Sequence, residues 1–278
     1  MTSALPPHLL PDVEDSTPGK TWRVPPLWRF LLRLLRVLVP AFCRLRVTGD
    51  IPDKLRAGPL IVVSNHIGSF DPFVLIAACA RKGLSPRFLA TAGMFRVPVF
   101  GSIMRACGHI QVDRGSHTVT RALHHAVTAL DERSCVVIYP EGGITLDPGM
   151  WPQRGKTGAV RLAWQSQAPV LVAAQWGAHE IMSWDGPATM VWTLLSALWR
   201  RPVARVHFGP AADLSSVDPD GPHAARDATD LLMHTCADTL RPLRDDEPHL
   251  PRHIDRWRPL STARSLYRCG GVSDADAS

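Results

Sequence analysis

Most of the devices that would declare a function outright are missing from this chain. Its six cysteines (Cys43, Cys79, Cys107, Cys135, Cys236 and Cys269) are scattered with no Cys-x-x-Cys pair. That excludes a zinc ribbon or dithiol redox centre, and their place in apolar runs reads as reduced core thiols of a cytosol-facing protein. His179-Glu180 opens like a metalloprotease helix, but Ser183 stands where the second histidine is needed, so no metal is expected. No Gly-x-Ser-x-Gly elbow surrounds Ser69, so the sequence gives no sign of a nucleophile elbow there. Gly155-Lys156-Thr157 invites a nucleotide-binding loop, yet Met150 fills the position of its first glycine and no strand immediately precedes it. There is no internal repeat and no charged-then-apolar leader; the stretch to Lys20 is Pro-rich and expected to be mobile.

What is present is a chain of 278 residues with 45% hydrophobic content, enough to bury one substantial core. The formal charge is +6 and arginine far outnumbers lysine, which points to a partner bearing phosphates: nucleic acid, anionic lipid or a phosphorylated small molecule. The arginines are spread through the chain and no recognition-helix motif appears, so nucleic acid is not expected. Apolar runs alternate between the two periodicities. Strands are predicted at 43–48, 60–64, 87–90, 109–112, 135–139, 169–174 and 203–208, and helices at 72–80, 98–106, 117–131, 157–166 and 223–240. The expected class is α/β, a single domain with a central mixed sheet flanked by helices, preceded by an N-terminal amphipathic helix at a membrane interface. The chain divides into a mobile lead (1–24), an amphipathic membrane-associating segment (25–48), the main domain (49–243) and an irregular tail (244–278).

Two segments bear on membranes. From Leu27 to Val39, Arg29, Arg33 and Arg36 recur at helical spacing on an otherwise leucine-rich surface. Such a helix spans only about 20 Å, short of the roughly 30 Å hydrocarbon core. Lying in the interface suits it, with arginines toward lipid phosphates and Trp28 near the headgroups; a core helix with an exposed basic face is the other reading. The run from Thr189 to Trp199 is apolar on all sides. Burial is its default, a dip into a membrane surface its alternative.

The chemistry is concentrated in Ser64-Asn65-His66-Ile67-Gly68-Ser69-Phe70-Asp71-Pro72, a loop between a strand and a helix. Asp71 before Pro72 fits a helix N-cap with proline at the first helical position. Three later strands run into loops of similar interest: Gly108 to Arg114, Tyr139-Pro140-Glu141-Gly142-Gly143, and the end of Pro169 to Gln175. In this order the blocks resemble the glycerolipid acyltransferase family, which includes the 1-acylglycerol-3-phosphate acyltransferases. Asn65-His66-x4-Asp71 matches the first block, Gly108 to Arg114 the second, Tyr139 to Gly142 the third and Pro169 to Val172 the fourth, across roughly Gly49 to Gly177.

The resemblance implies an acyl group moved from a thioester, acyl-CoA or acyl carrier protein, to the free hydroxyl of a lysophospholipid, with no other cofactor. His66 would take the hydroxyl proton and Asp71 orient its ring, work suited to a side chain that titrates near neutrality. Backbone amides in the 64–70 loop would face the oxyanion. Arg114 would grip the acceptor phosphate, with Asn65, Glu141, Gly142 and Lys156 in the same pocket. The third block usually continues Thr-Arg where Gly143-Ile144 stand, and a common lysine appears as Thr91; Arg154, Lys156 and Arg161 restore positive charge. The acceptor is therefore a lysophospholipid, most simply 1-acyl-sn-glycerol 3-phosphate. Another lysophospholipid or a glycolipid, or a non-catalytic lipid-binding protein of the same fold, are the alternatives. The expected place is the cytoplasmic face of the cell membrane, on an anionic surface, as a peripheral or monotopic protein.

Overall fold

The computed structural model describes residues 21–112, 116–183 and 186–244, without the side chains of 116–121. The chain runs α1 (Pro26–Phe42), β1 (Arg44–Thr48), α2 (Asp53–Ala57), β2 (Leu60–Ser64), α3 (Asp71–Arg81) and β3 (Pro86–Thr91). It continues through α4 (Ala92–Arg96), α5 (Phe100–Ala106), β4 (Ile110–Val112), α6 (Ser116–Asp131), β5 (Cys135–Ile138) and α7 (Gly158–Ser166). The last elements are β6 (Val170–Trp176), a 3-10 turn (Ala178–Glu180), α8 (Pro187–Arg200), β7 (Val203–Ala211), α9 (Ala224–Leu240) and a closing 3-10 turn (Arg241–Arg244). Residues 1–20 of the expected lead and all of the expected tail but Arg244 lie outside the described residues, whereas Trp22, within the lead, donates its backbone N–H to the Glu132 carbonyl (2.8 Å).

The strands form one mixed sheet in the order β1-β7-β6-β2-β5-β3-β4, every neighbouring pair parallel except β6 and β7. Its centre is β2, whose residues are all buried. The reason is its side-chain alternation between two cores. Leu60 and Val62 face the layer built with α1 and α3, whereas Ile61 and Val63 face the layer of α6, α7 and α9. With β5 on one side and β6 on the other, the carboxyl end of β2 opens where neighbouring connections diverge, the usual place for a site in an α/β sheet.

Two sequence expectations change. Trp28 does not sit at headgroup level: it is 2% exposed, donates its indole N–H to the Pro86 carbonyl (3.1 Å) and packs edge-on against His109. A tryptophan facing inward from α1 needs a buried acceptor, and the start of β3 supplies it. Burial, with the nearby Arg87 charge, pushes His109 down to about 4, so that ring packs neutral, accepting the Phe88 N–H. The apolar run at 189–199, expected to be buried, is instead the exposed helix α8. Only Ala197 is fully buried, while Met190 and Leu194 are half-buried. Among the described residues no helix is long and apolar enough to cross a membrane.

Strand β6 is followed by Gly177, at φ +90, where a Cβ would lie 2.1 Å from the Val203 carbonyl oxygen. Gly177→Ala is therefore expected to cost about 3 kcal/mol of stability by urea denaturation. A loss below about 0.5 kcal/mol would mean that the β6–β7 junction yields freely.

Candidate active site

Asp71 is 0% exposed and stands at the amino end of α3, where the helix dipole favours an anion. It is not the cap expected from Asp-Pro. Phe70 holds the capping position with no side-chain bond, and Asp71 turns back onto the preceding loop. Its Oδ2 accepts three hydrogen bonds, from His66 Nδ1 (2.8 Å), the Ile67 N–H (2.5 Å) and the Gly68 N–H (2.8 Å). The loop's own amides thus outcompete the helix end for this carboxylate. With Nδ1 bound to an anion, Nδ1 carries the ring proton and Nε2 is left with its lone pair. The His66 side chain is 15% exposed, and Nε2 has no hydrogen-bond partner among the described residues.

The backbone of His66 is held from both ends by the loop after β5. Its N–H donates to Glu141 Oε1 (3.0 Å), and its carbonyl accepts the Thr145 N–H (2.7 Å). The other Glu141 oxygen accepts the Gln153 N–H (3.0 Å), and Thr145 Oγ1 donates to the Trp151 carbonyl (2.8 Å). The imidazole stacks on Tyr139, centroids 4.2 Å apart and planes at 19°. Burial and the Asp71 charge push the Tyr139 phenol well above its ordinary range, so the stacking partner remains neutral. Asn65 faces away from the opening: it donates to the Gln175 carbonyl (3.0 Å) and accepts the Gln175 N–H (2.8 Å), while Gln175 Nε2 donates to the Asn65 carbonyl (3.0 Å). Asn65 and Glu141, both expected in the acceptor pocket, bond to Gln175 and to the His66 and Gln153 amides.

On the far side of the same turn, Gly142 sits at φ +73 with the Lys156 side chain folded over it. Lys156 Nζ lies 2.6 Å from where a Cβ would be. This brings an exposed ammonium to the carboxyl end of β5 and explains why residue 142 must lack a side chain. Arg154 reaches toward Asp230 on α9 (3.9 Å), and Arg161 lies on α7. Arg114 lies outside the described residues. Within the 64–70 loop, the amides of His66, Ile67 and Gly68 are already engaged, whereas those of Ser69 and Phe70 have no acceptor among the described residues. The sequence offered no signal for Thr145 or Gln153, and marked Gln175 only as the end of the fourth block's strand. Nor did it offer one for Arg244, whose guanidinium lies between Trp151 (4.2 Å) and Trp176 (3.9 Å) and donates to the Gly149 carbonyl (2.8 Å).

Burial pushes the Glu141 carboxyl up to about 8, opposed by the Gln153 and His66 amides and reinforced by the Asp71 charge. An unfolded glutamate titrates near 4.5. Its stabilising share is therefore whole below that pH and lost as pH rises toward 8, because the unfolded chain gives up its proton first. Glu141→Gln leaves two N–H groups competing for one oxygen. The stability margin of the native protein over this variant, measured by urea denaturation, should shrink from pH 5 to pH 8; a margin that grows would contradict this placement.

Against known proteins, residues 44–175 match the Acyltransferase family model, an interval that contains all four sequence blocks. The chloroplastic 1-acyl-sn-glycerol-3-phosphate acyltransferase BAT2 of Brassica napus is 25% identical over 157 residues. That match covers 56% of this chain but only 43% of the relative, less than half its length. The crystal structure of the 1-acyl-sn-glycerophosphate (LPA) acyltransferase PlsC from Thermotoga maritima superposes with a TM-score of 0.55 at 15% identity, over 78% of this chain and 81% of that one, a likeness of fold. From the start of β1 almost to the end of β6, therefore, this chain is similar to the Acyltransferase family.

Proposed function

We propose that the chain is a glycerolipid O-acyltransferase that moves an acyl group from acyl-CoA or acyl carrier protein to the hydroxyl of a lysophospholipid, with His66 as general base. The observation that carries this reading is the 2.8 Å bond between His66 Nδ1 and a fully buried Asp71, which leaves Nε2 for an incoming hydroxyl. In the reaction Nε2 removes the hydroxyl proton while the oxygen attacks the thioester carbonyl. Asp71 stabilises the resulting imidazolium. The amides of Ser69 and Phe70 face the oxyanion, the C–S bond then breaks, and the leaving thiolate takes the proton back from His66. No covalent acyl-enzyme is required.

For the acceptor, 1-acyl-sn-glycerol 3-phosphate is the first choice. Arg114 and Lys156 supply positive charge, and Gly142 lets the Lys156 side chain fold over the turn after β5. Gly143 and Ile144, in place of the Thr-Arg usual after this block, favour the second reading, acylation of another lysophospholipid or a glycolipid. The enzyme would work at the cytoplasmic face of the cell membrane, its α1 arginines toward anionic lipid.

The test is acyl transfer from both thioester donors to lysophosphatidic acid, lysophosphatidylglycerol and lysophosphatidylinositol. His66→Ala is expected to lower turnover by about a thousandfold or more, and Asp71→Ala by a similar order. Turnover that survives His66→Ala would overturn the mechanism. Equal use of the three acceptors would favour the second reading, and lysolipid binding without turnover would leave only a lipid-binding protein.

A further inference from the structure

Exposed apolar side chains are concentrated on this protein rather than dispersed. Of the fourteen large hydrophobic residues exposed among the described residues, ten lie on two helices, five on α1 and five on α8. On α8 they are Val191, Trp192, Leu195, Leu198 and Trp199, whose spacing of three and four places them on one side. The opposite side of α8, with Met190, Leu194 and Ala197, is the one that packs inward. Trp192 is 71% exposed and Trp199 79% exposed, an unusual state for two tryptophans one turn-pair apart. Helix α8 packs against α1, and Arg201 just past its end donates to the Pro40 carbonyl of α1 (2.9 Å).

The charge on these two helices has one sign. Between residues 21 and 49 there are six arginines and no carboxylate, and α8 carries no carboxylate either. On α1 the exposed arginines Arg29, Arg33 and Arg36 run as a stripe between the core-facing side (Trp28, Leu32, Val39) and the exposed apolar side (Phe30, Leu34, Val37). An isologous pair of copies would set this cationic stripe beside itself. A layer of anionic headgroups over hydrocarbon satisfies both features at once, because arginines meet phosphates while apolar side chains and indoles enter the interface.

We infer that α8 is a second membrane-docking element, and that α1 and α8 together form one face that lies on an anionic lipid bilayer, with the α8 tryptophans entering it. This deepens the proposed function by adding a lipid contact distant in sequence from the amphipathic segment, and it rests on that reading for its biological setting. Ring contact between Phe42 at the end of α1 and Phe70 beside Asp71 (6.2 Å between centroids) ties the docking face to the catalytic loop.

The experiment is flotation of the full chain with phosphatidylcholine vesicles, with and without phosphatidylglycerol. The double variant Trp192→Ser/Trp199→Ser is expected to bind both kinds of vesicle about tenfold or more weakly, because two largely exposed indoles are lost without any loss from the core. Leu195→Glu, which sets a carboxylate amid the apolar side of α8, should act in the same direction. By contrast, Arg29→Gln/Arg33→Gln/Arg36→Gln should abolish mainly the preference for phosphatidylglycerol. Native-like binding by both α8 variants would overturn the inference. So would a lipid-free dimer that the tryptophan variant converts to monomer, since a second copy would then cover the face. Failure of the acyltransferase reading is separable: wild type would turn over no water-soluble short-chain lysolipid, whereas vesicle binding is read without turnover.

Discussion

The site depends on one oxygen atom. Oδ2 of Asp71 holds the His66 ring and two consecutive backbone amides, so the position of the imidazole and the path of the loop that carries it are fixed by the same charge. An anion this deeply buried would be costly alone. It is tolerated because it accepts several hydrogen bonds at the amino end of α3. The geometry is available only because α3 starts right after the loop, and the loop starts at the end of the central strand. The two-faced burial of β2 therefore sits behind the placement of His66 as directly as Asp71 does.

A second support comes from a different part of the chain. The loop after β5 grips the N–H and carbonyl of His66 through Glu141 and Thr145, and is itself tied down by Gln153, Trp151 and the Arg244 guanidinium. Nearly all of these ties end on backbone groups. Backbone partners leave no side-chain complementarity to read, which makes such supports hard to find from sequence. Glu141 illustrates it: its place in an ordered block suggests a pocket residue, whereas its two oxygens serve two amides. Asn65 is the same case, a motif residue whose donor and acceptor are both matched to Gln175 across the sheet.

Legibility followed periodicity. The strands at 60–64 and 135–138 and the helices at 116–131 and 224–240 stood out because burial on both faces, or on one stripe, leaves a regular trace. The pairing of His66 with Asp71 was also legible, since the two are close in sequence. What could not be read was the direction an apolar side chain faces. The 189–199 run carries the hydropathy of a core helix, and hydropathy does not distinguish a protein interior from any other apolar surrounding. Trp28 erred in the opposite sense. Its arginine neighbours suggested an interfacial ring, while the decisive fact was a carbonyl 58 residues away at Pro86.

These two misreadings have a common physical origin. Helix α1 has three sides, not two: one buries Trp28, Leu32 and Val39, one carries the arginines, and one leaves Phe30, Leu34 and Val37 exposed. An amphipathic helix docked only on lipid would spend its apolar stripe on the bilayer and have nothing left to hold the protein. A purely structural helix would have no reason for the third side. By packing its own core stripe against α3, and by lying next to α8, α1 can be rigid with respect to the 64–70 loop while its remaining apolar surface stays exposed among the described residues. On the proposed reaction this matters for the barrier. A lipid acceptor held at a surface fixed relative to His66 arrives with part of its orientational freedom already lost, and that loss is then met by docking rather than by the chemical step.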